Sequence, residues 1–177
     1  YVNCGFDAGV SIDHVILGFR SDESDVPAAW RERQHLSLSL AAEFMDQVTT
    51  SKVKLQPVGA AQGFSPASYA QSVYELQQMG YRRIALGGMV PLKTNEILAS
   101  LEAVNQVRAR DVELHLLGVT RVEAMDRFAD LGVTSFDSTS AFRQAFMDAH
   151  DNYYLGAEKF AAIRVPQVDG NPLLRRL

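Results

Sequence analysis

The chain is poor in cysteine, in net positive charge and in long apolar runs, and each shortage excludes a class of function. Cys4 is the only cysteine among 177 residues, which excludes an internal disulfide and a Cys-rich metal site within this chain. A net charge of -4 gives no global attraction to nucleic acid, so such binding would need a local basic patch. No stretch approaches the roughly 18 to 20 apolar residues that span a bilayer. We therefore expect no membrane partner and a reducing, cytoplasmic location.

What remains is the composition of an ordinary globular domain. Hydrophobic residues make up 47% of the chain and charged residues 21%, enough to bury one sizeable core. The chain begins with Tyr1 rather than Met and has no polar lead-in, which favours a longer protein with an N-terminal part that is absent here.

Short apolar runs that end in glycine or polar residues alternate with helical patterns. The predicted strands are Asp13–Leu17, Val53–Ala61, Ile84–Leu86, Val112–Leu117 and Val133–Phe136. The predicted helices follow Pro27, begin at Ser65-Pro66, at Thr94 and at Val122, and end the series at Ser140–Met147. Alternation with short connections predicts an α/β fold with a parallel sheet and right-handed crossovers. Its regular repeat favours a partial (β/α)₈ barrel with N-terminal strands missing from this chain.

The last part of the chain breaks this rhythm. Residues 151–154 form a polar-aromatic segment that we interpret as a loop, and Phe160–Val165 reads as a last strand or an edge extension. We therefore divide the chain into a barrel segment at residues 1–150 and a C-terminal loop and edge extension of the same domain at residues 151–177.

Glycines, one amide and one carboxylate follow the predicted strands. They are Gly18, Gln62-Gly63, Gly87-Gly88, Gly118 and Asp137. In parallel α/β folds ligands bind at the carboxyl ends of strands, and this set suits a flat polar ligand such as a purine base. Two alternatives stay open for the pair Gly87-Gly88, a tight turn without a ligand and a cradle for a phosphate.

Asp137 is the residue with the most specific chemistry. A carboxylate at a strand end can attack an acetal-type carbon such as C1′ of a nucleoside, but it can equally cap the following helix. Arg143 either meets a phosphate or is a solvated helix arginine. Asp13 and His14 stand at the start of a predicted strand, where a structural role is expected, and His115 reads as a satisfied core histidine.

Four motifs in order resemble the tRNA-guanine transglycosylase superfamily. They are Ala61-Gln62-Gly63, Ala85-Leu86-Gly87-Gly88-Met89, Leu116-Leu117-Gly118-Val119 and Gly132-Val133-Thr134-Ser135-Phe136-Asp137. The resemblance covers about Ser11 to Arg143. It implies a (β/α)₈ barrel that exchanges guanine in a nucleic acid, DNA or tRNA, for a 7-deazaguanine base through a covalent intermediate.

The resemblance also implies roles for individual residues. Asp137 would be the nucleophile and Arg143 would contact nucleic-acid phosphate. The substrate-binding set would be Gln62 and Gly63, the backbone of Gly87, Gly88 and Met89, and Asp13 as the acidic contact to the base.

Departures from the family pattern favour its divergent DpdA-type branch, which modifies DNA. Residues 89–93 and 138–142 replace family motifs, and the family's Phe-Asp-Glu has Phe19-Arg20 near its place. The segment that carries the family's general base and its Cys-rich zinc motif are not visible, so we expect no cofactor within this chain and place a possible zinc site downstream. The alternatives are a small-molecule barrel enzyme that binds a phosphorylated metabolite, and a non-catalytic partner subunit or barrel fragment. For the partners of the chain, a homo-oligomer and a partner subunit both stay open.

Overall fold

The computed structural model describes residues 1–21, 23–139, 151–155 and 158–161. The chain forms two compact units, Tyr1–Asp137 and Ser138–Leu177. Arg143 and the helix predicted at residues 140–147 lie outside the described residues. The predicted division at residue 150 falls beside them and stays a prediction.

The first unit alternates strands and helices. Its strands are β1 (Ala8–Val10), β2 (Gln56–Ala61), β3 (Arg83–Leu86), β4 (Glu113–Leu116) and β5 (Val133–Phe136). Its helices are α1 (Ala28–Ser51), α2 (Pro66–Gln78), α3 (Thr94–Val107) and α4 (Met125–Asp130). Short 3-10 turns lie at Val2–Cys4, Glu23–Asp25 and Val122–Ala124.

The five strands of this unit form one parallel sheet in the order β1-β2-β3-β4-β5. Consecutive strands are neighbours throughout, whereas the strand order of a doubly wound sheet reverses at a switch point. Crossovers of one hand between consecutive neighbours place every helix on the same face. The α/β class and the partial (β/α) barrel predicted from the sequence are therefore confirmed.

One apolar core lies between the helices and one face of the sheet. Alternate residues of β3 and β4 supply its sheet side, and all four helices contribute; the members include Ile84, Leu86, Leu114, Leu116, Leu38, Leu76, Leu101 and Phe128. Because side chains alternate along a strand, the residues between them project to the opposite face. Ala85, His115 and Ser135 pair in register across β3, β4 and β5 and share that opposite, inner face.

Helix ends follow local capping chemistry. The Ser65 hydroxyl accepts a hydrogen bond from the Ser68 N–H at 3.0 Å, with Pro66 as the first helical residue, as the sequence predicts. The predicted cap at Thr94 is wrong: Lys93 precedes α3, and its N–H donates to the Glu96 carboxylate at 2.7 Å. In a capping box a glutamate three residues after the cap accepts from the N–H of the cap residue itself, whereas a threonine cap would have accepted from an N–H inside the first turn.

The first predicted strand is also wrong. The first strand in the structure is β1, at Ala8–Val10, which pairs with β2. Residues 11–20 form a loop without regular structure. Val15 and Leu17, which the prediction assigned to a strand, are exposed, whereas Ile16 is buried. The loop is held instead by polar contacts from its backbone, for example from the His14 N–H to the Ser37 hydroxyl at 2.8 Å. Asp13 therefore follows the end of β1 and does not begin a strand.

Three smaller predictions need correction. The apolar spacing along α3 predicts that Val107 faces inward with Val104, but Val107 is 36% exposed because it is the last residue of the helix. The helix predicted at 122–131 is a 3-10 turn followed by α4. In the second unit, the predicted loop at 151–154 contains β6 (Tyr153–Leu155), which pairs antiparallel with β7 (Glu158–Phe160). Residues 162–165 of the predicted last strand lie outside the described residues.

We expect the core face of the sheet to carry much of the stability. Leu114→Ala removes a fully buried side chain from β4 and should lower the free energy of unfolding by about 2 to 5 kcal/mol. Leu36→Ala is the matched control, because Leu36 lies in α1 and is 43% exposed; it should change stability by less than about 0.5 kcal/mol. Urea unfolding of both variants tests this, and equal losses would contradict the assigned core.

Candidate functional site

The hydrogen bonds between parallel strands continue one residue beyond the ends of β3, β4 and β5. They bring the predicted site residues together at the carboxyl ends of the strands. Each of these N–H groups donates to the carbonyl of the neighbouring strand: Gly87 to Ala61 at 2.9 Å, Leu117 to Leu86 at 3.1 Å and Asp137 to Leu116 at 3.2 Å. Gly87, Leu117 and Asp137 consequently form one row across the carboxyl ends of the sheet. Gly87 and Asp137 lie two strands apart, or about 10 Å at the usual strand spacing.

Gln62 and Asp13 contact each other at this edge. Gln62 follows β2, is 1% exposed, and its side-chain nitrogen donates to the Asp13 carboxylate. Its side-chain oxygen accepts the Ile16 N–H at 3.1 Å. The structure thus unites the two predicted base-contacting side chains. The sequence pattern alone assigned Asp13 a structural role, because the misplaced first strand put it at the wrong end of the sheet.

Close packing around Gln62 leaves no room for side chains at Gly87 and Gly88. A Cβ on Gly87 would collide with the Gln62 amide nitrogen, and one on Gly88 would collide with the Ile16 carbonyl. Gly88 also has a φ of +74°, which side-chain-bearing residues rarely adopt. The Gly87 carbonyl accepts a hydrogen bond from the Tyr69 hydroxyl at 2.8 Å. The pair therefore forms a tightly packed bend beside the predicted base contacts, and its contact with a ligand stays a prediction.

The two other predicted substrate contacts are buried. Gly63 lies against the Tyr69 ring, where a Cβ would come within 2.5 Å of the ring, and Met89 is fully buried in the core. The Met89 carbonyl accepts the Leu92 N–H at 3.1 Å. Packing accounts for both residues, and their contact with a substrate stays a prediction.

Asp137 stands at the exposed end of β5 and contacts β4. One carboxylate oxygen, Oδ1, accepts the Gly118 N–H at 2.7 Å and lies 3.4 Å from His115 Nε2. The other ring nitrogen of His115 lies 2.9 Å from the Ser135 hydroxyl. His115 was interpreted as a core histidine; its side chain is 23% exposed and faces the site. Its alternation with Leu114 and Leu116 could have revealed this, since those leucines point to the helices.

Burial further disfavours ionisation of the tyrosine that supports the glycine pair. Desolvation raises the pKa of Tyr69, and it raises the pKa of Tyr81 to about 12. Both hydroxyls therefore remain hydrogen-bond donors at physiological pH. Tyr69 donates to Gly87 and Tyr81 donates to the Ala41 carbonyl at 2.7 Å.

The described part of the chain holds no group of three or more His, Cys, Asp or Glu side chains that could bind a metal ion. With one cysteine, the chain does not fit the Cys-rich zinc motif of the resembled family. Within the same described residues, no helix is both long and apolar enough to cross a membrane.

Fold and site together define a partial (β/α) barrel, with the predicted base-contacting set after β1 to β3 and a carboxylate after β5. A DNA-guanine transglycosylase of Salmonella montevideo is 44% identical to this chain over 181 positions, which cover 99% of the chain. The chain spans 43% of that relative's length. No protein-family model matches the chain. The comparison confirms the resemblance to the guanine transglycosylase superfamily, and to its DpdA-like branch, that the motifs predict.

We expect the Tyr69 hydroxyl to hold the glycine pair in place. Tyr69→Phe leaves the buried Gly87 carbonyl without this donor, which should cost about 1 to 3 kcal/mol of stability and speed hydrogen exchange of the Gly88 and Met89 amides. Tyr81→Phe is the matched control, since the carbonyl it releases lies inside α1. Its exchange at these amides should stay unchanged, and acceleration in both variants would contradict a specific role.

Proposed function

We propose that the chain carries the reacting part of a DNA-guanine transglycosylase, which replaces guanine in DNA by a 7-deazaguanine base. The observation that supports this most directly is the position of Asp137, exposed at the end of β5 with one carboxylate oxygen held by β4 and the following turn. The name of the relative favours DNA over tRNA as the acceptor.

The proposed reaction has two displacements at C1′. A carboxylate oxygen of Asp137 forms a bond to C1′ while the bond from C1′ to N9 of guanine breaks, and the electron pair leaves with guanine, which is protonated. The incoming base then loses its N9 proton and attacks C1′, and the ester bond breaks to restore the carboxylate. The negative charge of Asp137 stabilises the oxocarbenium-like transition state of both steps.

The proposed base pocket is the set Asp13, Gln62, Gly63, Gly87, Gly88 and Met89. Guanine presents N–H donors and a carbonyl acceptor on one edge. The Asp13 carboxylate would accept from the donors, and Gln62 and the backbone of the glycine pair would contact the rest. The amide of Gln62 holds Asp13 in place before the base arrives, which lowers the cost of ordering the pocket.

Contacts to the rest of the substrate are also proposals. We assign Arg143 to a phosphate of the nucleic acid, because the family places an arginine shortly after its nucleophile. A homo-oligomer or a partner subunit would supply further basic surface to a chain whose net charge is -4.

The competing small-molecule function has less support. A phosphate cradle is usually formed where a glycine-rich loop runs straight into a helix N-terminus. Here α3 begins at Thr94, six residues after Gly88, and the Gly87 N–H already donates to Ala61. A non-catalytic fragment would form no covalent adduct with DNA under any condition.

The nucleophile is tested by Asp137→Asn in the natural full-length protein. We expect loss of labelled-base incorporation and of the covalent DNA adduct, because an amide cannot form the ester. Asp111→Asn is the control, since Asp111 precedes β4 at the opposite edge of the sheet and pairs with Arg82 on the surface. Base exchange retained by Asp137→Asn would rule out the assigned nucleophile.

The base pocket is tested by Asp13→Asn. The amide keeps the size of the side chain but loses the charge that accepts from the base, so affinity for guanine should fall by roughly 10- to 100-fold. Asp7→Asn, just before β1 and at its other end, should bind normally. Calorimetry with guanine and a 7-deazaguanine measures both, and unchanged binding by Asp13→Asn would remove Asp13 from the pocket.

A further inference from the structure

His115 is the titratable side chain closest to the proposed nucleophile among the described residues, and no motif of the sequence assigned it a role. It lies on the inner face of β4, with Nε2 3.4 Å from Asp137 Oδ1. The ring is held from its other side, where Nδ1 lies 2.9 Å from the Ser135 hydroxyl. Both nitrogens therefore have a partner, which fixes the plane of the ring.

An irregularity in strand pairing creates this arrangement. The register between β4 and β5 shifts between Leu114 and His115, so that Leu114 pairs with Val133 but His115 pairs with Ser135. Such a bulge redirects side chains locally. Without it, Thr134 would stand opposite His115, and the serine that anchors the ring would lie one position further along.

The contacts of Asp137 are unequal. Oδ1 receives the Gly118 N–H at 2.7 Å and faces His115, whereas no donor from the described residues reaches Oδ2. The hydrogen bond from Gly118 stabilises Oδ1 and makes it the less nucleophilic oxygen, and this bond together with the neighbouring imidazole restricts rotation of the carboxylate about its bond to Cβ. With respect to the described residues, Oδ2 is therefore the less restrained and more nucleophilic oxygen.

We propose that His115 is a positioning residue: it holds Asp137 Oδ1, together with Gly118, so that Oδ2 is presented to C1′. The inference rests on the proposed function, in which Asp137 is the nucleophile. Ser135 acts indirectly, by fixing the orientation of the His115 imidazole. His115 itself forms no bond to the substrate and takes no proton from it in this role.

The experiment compares two amide variants of the natural full-length protein. In His115→Gln the side-chain nitrogen can reach the place of Nε2 and donate to Asp137. In His115→Asn the shorter amide can reach Ser135 but not Asp137. We expect His115→Asn to lower kcat and the single-turnover rate of adduct formation by roughly 10- to 100-fold, with KM for the base within about threefold, and His115→Gln to recover most of the rate.

Ser135→Ala is the second variant, because it loosens the ring while leaving His115 in place. We expect a smaller fall in kcat, roughly three- to tenfold, again without a change in KM. His35→Asn, on the exposed face of α1, is the control for loss of a histidine and should react normally.

The outcomes separate the two proposals. If Asp137→Asn is inactive but His115→Asn reacts at the normal rate, the positioning role fails and the proposed function stands. If both amide variants lose rate equally, or if kcat and KM change together with a fall in Tm, His115 is merely structural and the inference fails. If Asp137→Asn retains exchange, the proposed function fails.

Discussion

The site depends on the backbone hydrogen bonds that extend the parallel ladder one residue past β3, β4 and β5. The N–H groups of Gly87, Leu117 and Asp137 each donate to the preceding strand, at 2.9 to 3.2 Å. These bonds fix the positions of neighbouring strand ends relative to one another along the strand direction. Because the apolar core holds the other face of the same strands, the row can shift only if the core repacks. Rigid strand ends are the natural support for groups that must meet one substrate.

The base-contacting half of the site is built from side chains that satisfy each other. Gln62 is buried and uses its amide on Asp13 and on the Ile16 N–H. A buried amide without hydrogen-bond partners would lower the free energy of unfolding. The two hydrogen bonds of Gln62 therefore allow this polar side chain to be buried just after the end of β2. The glycine pair follows from it, because Gly87 leaves the space that the Gln62 amide occupies. Sequence, packing and proposed chemistry agree at this point.

The sequence predicted the elements whose signals are local. Ser65-Pro66 and Gly80 bound α2, and short apolar runs marked β3 and β5. The first strand was predicted at the wrong place. Residues 13–17 include apolar side chains but pair with no strand, whereas Ala8–Val10 pairs with β2. Strand pairing is a property of distant residues, and it overrides the local pattern. Alternation along β4 was enough to predict the face on which His115 lies, but its contact with Ser135 was not predictable because it depends on a register shift between β4 and β5.

Two separate groups of strands thus supply the two halves of the proposed chemistry. The proposed base contacts follow β1, β2 and β3, and the carboxylate with its supports arises from β4 and β5. A flat bicyclic base is long enough to reach from one set toward the other, while a phosphate, being compact, would touch only one. The separation of about two strand spacings therefore favours a planar ligand with its reacting carbon at the β5 side. In that arrangement the contacts that select the base and the contacts that orient the nucleophile can be altered independently.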